Sequence, residues 1–233
     1  MKEERTIFYY LLLSILAVLL ILIMVFLQPS FNNSINIFDK FFLAGAFFIS
    51  CIFGISIAIY PNWWRKNKTN TTNKSNLQKS KTNISFQGHH PDCNMFQSHT
   101  IIIKDKTRCA GCLGLIIGAL ASISLIILYL IFPFSLSIFM YHMFLLIGIL
   151  GLFFIYIEIL FLKRRMFFHI LLNIFFILSF FIITINVLEI TKNMIFGILT
   201  VLLCFLWLDA RIHFSKYKHK IICASCKQSC KSF

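Results

Sequence analysis

Apolar and polar positions in this chain do not alternate finely; they separate into long blocks. Six blocks of about 20 residues or more are nearly free of charge, near 7–27, 38–60, 113–132, 138–162, 167–187 and 193–212. A helix rises about 1.5 Å per residue, so roughly 20 residues cross the ~30 Å of hydrocarbon in a bilayer. In lipid every backbone N–H and C=O must be paired within the protein, which a helix does by itself. The pattern therefore predicts an all-α integral membrane protein with six transmembrane helices. The first block, IFYYLLLSILAVLLILIMVFL, follows the charged head MKEER. Its length, with no A-x-A pattern after it, predicts a retained span and not a cleaved leader.

The polar stretches between the blocks divide the chain further. Residues 65–85, RKNKTNTTNKSNLQKSKTNIS, are low-complexity Asn, Lys, Thr and Ser with little to bury. The expected organisation is an N-terminal transmembrane hairpin (1–62), a flexible linker (63–86), a His/Cys loop (87–112), a four-helix transmembrane bundle (113–213) and a Cys-rich tail (214–233). Gly114, Gly118 and Ser122 recur every four residues and so share one face of the third span. Small residues at that spacing let a neighbouring helix approach closely.

Composition agrees with lipid as the main solvent. The chain is 59% hydrophobic and 13% charged, whereas a soluble domain is about a quarter charged. The net charge of +14 raises the question of an acidic partner. Alternate polar segments answer it. The N-terminus, 61–112, 163–165 and the segment from Arg211 hold twenty Lys and Arg between them, and the opposite side holds only Lys40 and Lys192. By the positive-inside bias, both termini and the His/Cys loop face the cytoplasm of a cell-membrane protein. The basic charge then marks topology and attraction to anionic lipid head groups. No nucleic-acid motif accompanies it, which argues against a nucleic-acid partner.

The chemistry concentrates in GHHPDCNMFQSHTIIIKDKTRCAGCLG. Three His and three Cys fall within twenty-four residues, 89–112. His90, Cys93, Cys109 and Cys112 read H-x2-C-x15-C-x2-C, the spacing of two zinc knuckles with one cysteine replaced by histidine. Four such donors suit tetrahedral zinc. In a reducing compartment these thiols would not be held as disulfides. Cys112 at a helix start gains from the unpaired N–H groups and the dipole there, which favour a thiolate. The intervening SHTIIIKDKTR reads as a small hairpin turning at Lys104-Asp105-Lys106. His89 and His99 are alternative ligands, or surface and hydrogen-bonding residues. Iron and a redox thiol pair are the competing readings of the same residues.

At the tail, His219, Cys223, Cys226 and Cys230 read H-x3-C-x2-C-x3-C and form a candidate second metal site. Cys51 and Cys204 lie inside spans and read as small core residues. Three ionisable residues, Glu158, His169 and Asp209, lie near the loop-side ends of spans. They either pair locally, Glu158 with Arg164 or Arg165 and Asp209 with Arg211 or His213, or form a polar pocket beneath the loop. No file of ionisable groups crosses the bilayer, which argues against an ion-coupled transporter.

His89-His90-Pro91-Asp92-Cys93 with Phe96, followed by Cys109-Ala110-Gly111-Cys112-Leu113-Gly114, resembles a group of small prokaryotic multi-pass membrane proteins of unknown function. Their pattern is C-H-x-x-P-x-R-S-F followed by C-A-R-C-x-G at the start of a span. The resemblance covers about 88–120. Here the Cys-His order is altered, Arg-Ser-Phe is missing, and Gly111 stands where the pattern has Arg. It implies a shared site and no particular reaction.

The reading that results is a cytoplasmic structural zinc site organising a membrane-surface platform for a protein partner. Two rivals use the same residues. One is a membrane metalloenzyme with an open metal position, His89 or His99 nearby, and Glu158 or Asp209 as base. The other is a thiol oxidoreductase built on Cys109 and Cys112.

Overall fold

The computed structural model describes residues 2–27, 35–59, 100–103, 106–132, 136–161 and 165–224. They form six helices and one hairpin: α1 (Lys2–Leu27), α2 (Ile37–Ile59), β1 (Thr100–Ile103), β2 (Lys106–Cys109), α3 (Ala110–Ile131), α4 (Ile138–Phe161), α5 (Met166–Thr191) and α6 (Met194–Ala224). All six helices are long and apolar enough to cross a membrane.

Short polar side chains start several helices. The Asn36 carboxamide oxygen accepts from the Phe38 N–H at 3.2 Å before α2, and Asn193 accepts from the Ile195 N–H at 2.9 Å before α6. Ser137 does the same for Met140 at 3.4 Å before α4. Each satisfies one of the orphan donors of a helix N-terminus. Helix α5 stops where Lys192 turns into the left-handed region, φ 51° and ψ 28°, with its N–H on the Leu188 carbonyl at 2.8 Å. Only Lys192 and Asn193 separate α5 from α6.

The packing is arranged around α5. Half of its apolar window is buried, 50% against 22% for α2, and it packs against α3, α4, α6 and α1. Side chains such as Phe26, Phe139 and Phe154 point outward on the other helices, as lipid-facing residues do. Hydroxyls that would be orphaned in an apolar medium return to their own helix. Ser14, Ser179, Thr191 and Thr200 each donate to the carbonyl four residues back, at 2.7–2.8 Å.

The small-residue stripe on α3 faces α5. A Cβ on Gly114 would come 2.5 Å from the Ile170 carbonyl oxygen, and one on Gly118 would come 3.0 Å from that of Ile174. Ser122 on the same stripe is fully buried.

Two helix boundaries and one packing relation differ from the sequence pattern. Helix α3 begins at Ala110, so Cys112 sits in its first turn, ahead of the apolar run. Helix α6 continues to Ala224, through residues expected in the tail. Charged residues end a hydrophobic run without ending a helix, because Lys, Tyr and Ile at 216–221 are all tolerated in one. Finally, α1 and α2 do not pack along each other as a hairpin. α1 lies against α6 and α5, and α2 lies against α3 and α6.

Candidate metal and polar site

The hairpin delivers the first cysteine. β1 and β2 pair antiparallel, Thr100 opposite Cys109 and Ile103 opposite Lys106. Cys109 ends β2 and caps α3 with extended backbone, φ −71° and ψ 123°, without spending its side chain on the helix N–H groups. One turn on, the Cys112 thiol lies close enough to Cys109 for the two to influence each other. The C-x-x-C turn thus brings both sulfurs together at the positive end of a 22-residue helix.

Beneath that turn lies a buried polar cluster built by three other helices. From α4 comes Glu158, which is fully buried. From α5, His169 places Nδ1 3.0 Å and 3.2 Å from the two Glu158 carboxylate oxygens. Asn173, one turn further, donates to the His169 carbonyl at 2.5 Å. From α6, Arg211 donates through Nη2 to the Asn173 carboxamide oxygen. The opposite edge of His169 meets the cysteine turn: a Cβ on Gly111 would lie 2.8 Å from His169 Nε2 and 3.3 Å from Arg211 Nη2. A side chain at 111 would therefore push on the imidazole and the guanidinium. The groups near enough to feel the Arg211 charge are Cys112, Cys109, Glu158 and Tyr156.

Of the sequence-derived candidates, Cys109 and Cys112 come together, and Glu158 and His169 meet just below them. Asp209 stands apart. Its side chain is 55% exposed, and it pairs with His213 one turn on at 3.5 Å. Glu158 pairs with His169 across two helices; of the two arginines expected beside it, Arg164 lies outside the described residues. His89, His90, Cys93 and His99 lie outside the described residues, as do Cys226 and Cys230. His219 and Cys223 fall on the last turns of α6, and their side chains lie outside the description. Among the described residues, no three His, Cys, Asp or Glu side chains gather closely enough to hold a metal. Cys51 and Cys204 are buried and line a cleft with Leu115, Ala119, Phe180 and Leu208.

Two polar groups outside those candidates organise the ends of the bundle. A seam beside the site joins α1, α4 and α6. Ser14 Oγ lies 3.2 Å from Tyr156 Oη, and the Trp207 indole N–H donates to the Ser14 carbonyl at 3.3 Å. Tyr10 stacks on His213, with ring centroids 4.2 Å apart. At the opposite end, Glu189 is buried and takes three partners. They are the Tyr129 hydroxyl at 2.6 Å, Lys192 Nζ at 2.9 Å and Lys40 Nζ at 3.0 Å. The only two cations that the charge count put on that side thus meet on one carboxylate. The clue was in the sequence: an acid just past the fifth apolar block, on the side with two lysines.

No family model, curated protein or solved structure matches the chain, so the thiol pair and the buried Glu158–His169–Asn173–Arg211 cluster are the ground on which its function is argued.

Proposed function

We propose that this chain is a multi-pass membrane protein in which a structural zinc site, formed by His90, Cys93, Cys109 and Cys112, organises a platform at the cytoplasmic membrane surface. The observation that carries the reading is the placing of Cys109 at the N-cap and Cys112 in the first turn of α3, close together. Half of a tetrahedral donor set is held ready by a hairpin and a helix. The other half comes from the stretch just before β1, ten residues long from His90 to His99. A loop that small lacks an apolar core, and zinc–thiolate bonds supply the folding energy it needs. The surface so fixed lies among anionic lipid heads and basic residues, and its partner is a protein.

Elemental analysis of the purified full-length chain tests this, with one zinc per chain expected. Cys112→Ser and His90→Ala should lose the ion, while His89→Ala and His99→Ala retain it. Two zinc ions per chain would add a site at His219, Cys223, Cys226 and Cys230. A chain without metal would sink the proposal.

A second reading, the metalloenzyme, draws on one feature: the buried Glu158–His169 pair is a carboxylate–imidazole couple of the kind that moves protons. An open metal position binds added anions. Cobalt-substituted protein whose visible bands shift with azide would favour the enzyme, and unchanged bands would favour the closed structural site.

A further inference from the structure

The burial of Arg211 calls for an explanation. The residue lies in a membrane-crossing helix and is only 7% exposed. An ionised group so placed is costly unless charge and hydrogen bonds compensate it. Its Nη2 is used on Asn173, but its Nε is buried and has no hydrogen-bond partner among the described residues. The carboxylate within reach, Glu158, is already engaged by His169. What the guanidinium faces is the Cys109–Cys112 turn, where Nη2 stands 3.3 Å from the position of a Gly111 Cβ. Arg108, next to Cys109 in β2, also has a buried Nε without a partner among the described residues.

We propose that Arg211 is a positioning residue of the metal site: it donates hydrogen bonds to the Cys109 and Cys112 sulfurs and balances the charge of the bound complex. This rests on the zinc reading above. On binding, each thiol gives up its proton. Zinc with three thiolates and one neutral imidazole then carries one net negative charge, and one guanidinium neutralises it. The geometry explains three choices at once. Gly111 leaves room for the guanidinium. Asn173, anchored on the His169 carbonyl, holds Nη2. Arginine serves where lysine would not, because its planar fork presents several fixed donors to two sulfurs. Outer contacts of this kind orient and tune metal ligands, and their loss lowers metal affinity roughly 10–100-fold.

The test is cobalt titration of the reduced, metal-free full-length protein in detergent, comparing wild type, Arg211→Met, Arg211→Lys and Cys112→Ser. Arg211→Met should weaken cobalt binding by about 10–100-fold. It should also move the thiolate-to-cobalt charge-transfer band to lower energy, because the sulfurs lose their donors. Arg211→Lys keeps the charge without the fork and should fall between the two. If Arg211→Met does not give folded protein, Asn173→Leu leaves the arginine but removes its prop. It should shift the band in the same direction by less. Wild-type affinity and band position in Arg211→Met, or in Asn173→Leu where that variant is the one read, would overturn the role of Arg211 and leave the zinc reading standing. Failure of the wild type to bind cobalt, with Cys112→Ser indistinguishable from it, would overturn both.

Discussion

At the scale of single residues, the clearest stability statement concerns Glu189. Its carboxylate holds Tyr129, Lys192 and Lys40 together at the end of the bundle away from the cysteines. Glu189→Gln keeps a bond to Tyr129 but leaves both ammonium groups without their anion. Thermal unfolding in detergent should show a loss of about 1–3 kcal/mol, the cost of losing charged hydrogen bonds. The figure stays moderate because Lys40 and Lys192 are about a third exposed and can reach water. Residue identity was easier to read in the sequence than residue partnership. Asp209 and Arg211 look like neighbours in the chain, yet two residues along a helix point to nearly opposite sides. Arg211 turns inward to Asn173, and Asp209 turns outward to His213. Glu158 and His169 are eleven residues apart, on different helices, so no spacing rule pairs them.

At the scale of elements, the glycines divide by what they face. A Cβ on Gly54 would meet nothing within 4 Å, whereas one on Gly118 would meet Ile174 backbone at 3.0 Å and 3.1 Å. Gly54→Ala should therefore be neutral or stabilise by up to about 1 kcal/mol through helix propensity. Gly118→Ala should destabilise by roughly 1–3 kcal/mol through overpacking of α3 on α5. Parallel melting curves of the two variants check this, and equal effects would refute it. The α3 stripe was legible because its four-residue period survives any choice of neighbour. That α5 is the neighbour was not legible, since α4 and α6 offer equally apolar faces. Helix ends were also blurred. Hydropathy marks where lipid stops, while backbone hydrogen bonding starts α3 at Ala110 and carries α6 on to Ala224.

At the scale of the whole molecule, six long apolar runs could be counted directly, and the described residues contain six membrane-length helices. Their arrangement could not be read the same way. Sequence neighbours α1 and α2 bypass each other: α1 leans on α6 and α5, and α2 leans on α3 and α6. Trp207 reaches Ser14 and Tyr10 stacks on His213, contacts that close over nearly the full length of the chain.

That bypass has a consequence for how the protein withstands cutting. Lys40 of α2 is tied to Glu189 of α5, and α1 is seated on α6. The first two helices are therefore secured by side chains, and the backbone that joins them to the rest is dispensable once assembly is complete. Two fragments expressed from separate genes, divided within 65–85, should find each other in the membrane and co-purify as an intact bundle. Recovery of either fragment alone would show that covalent continuity matters more than these grips.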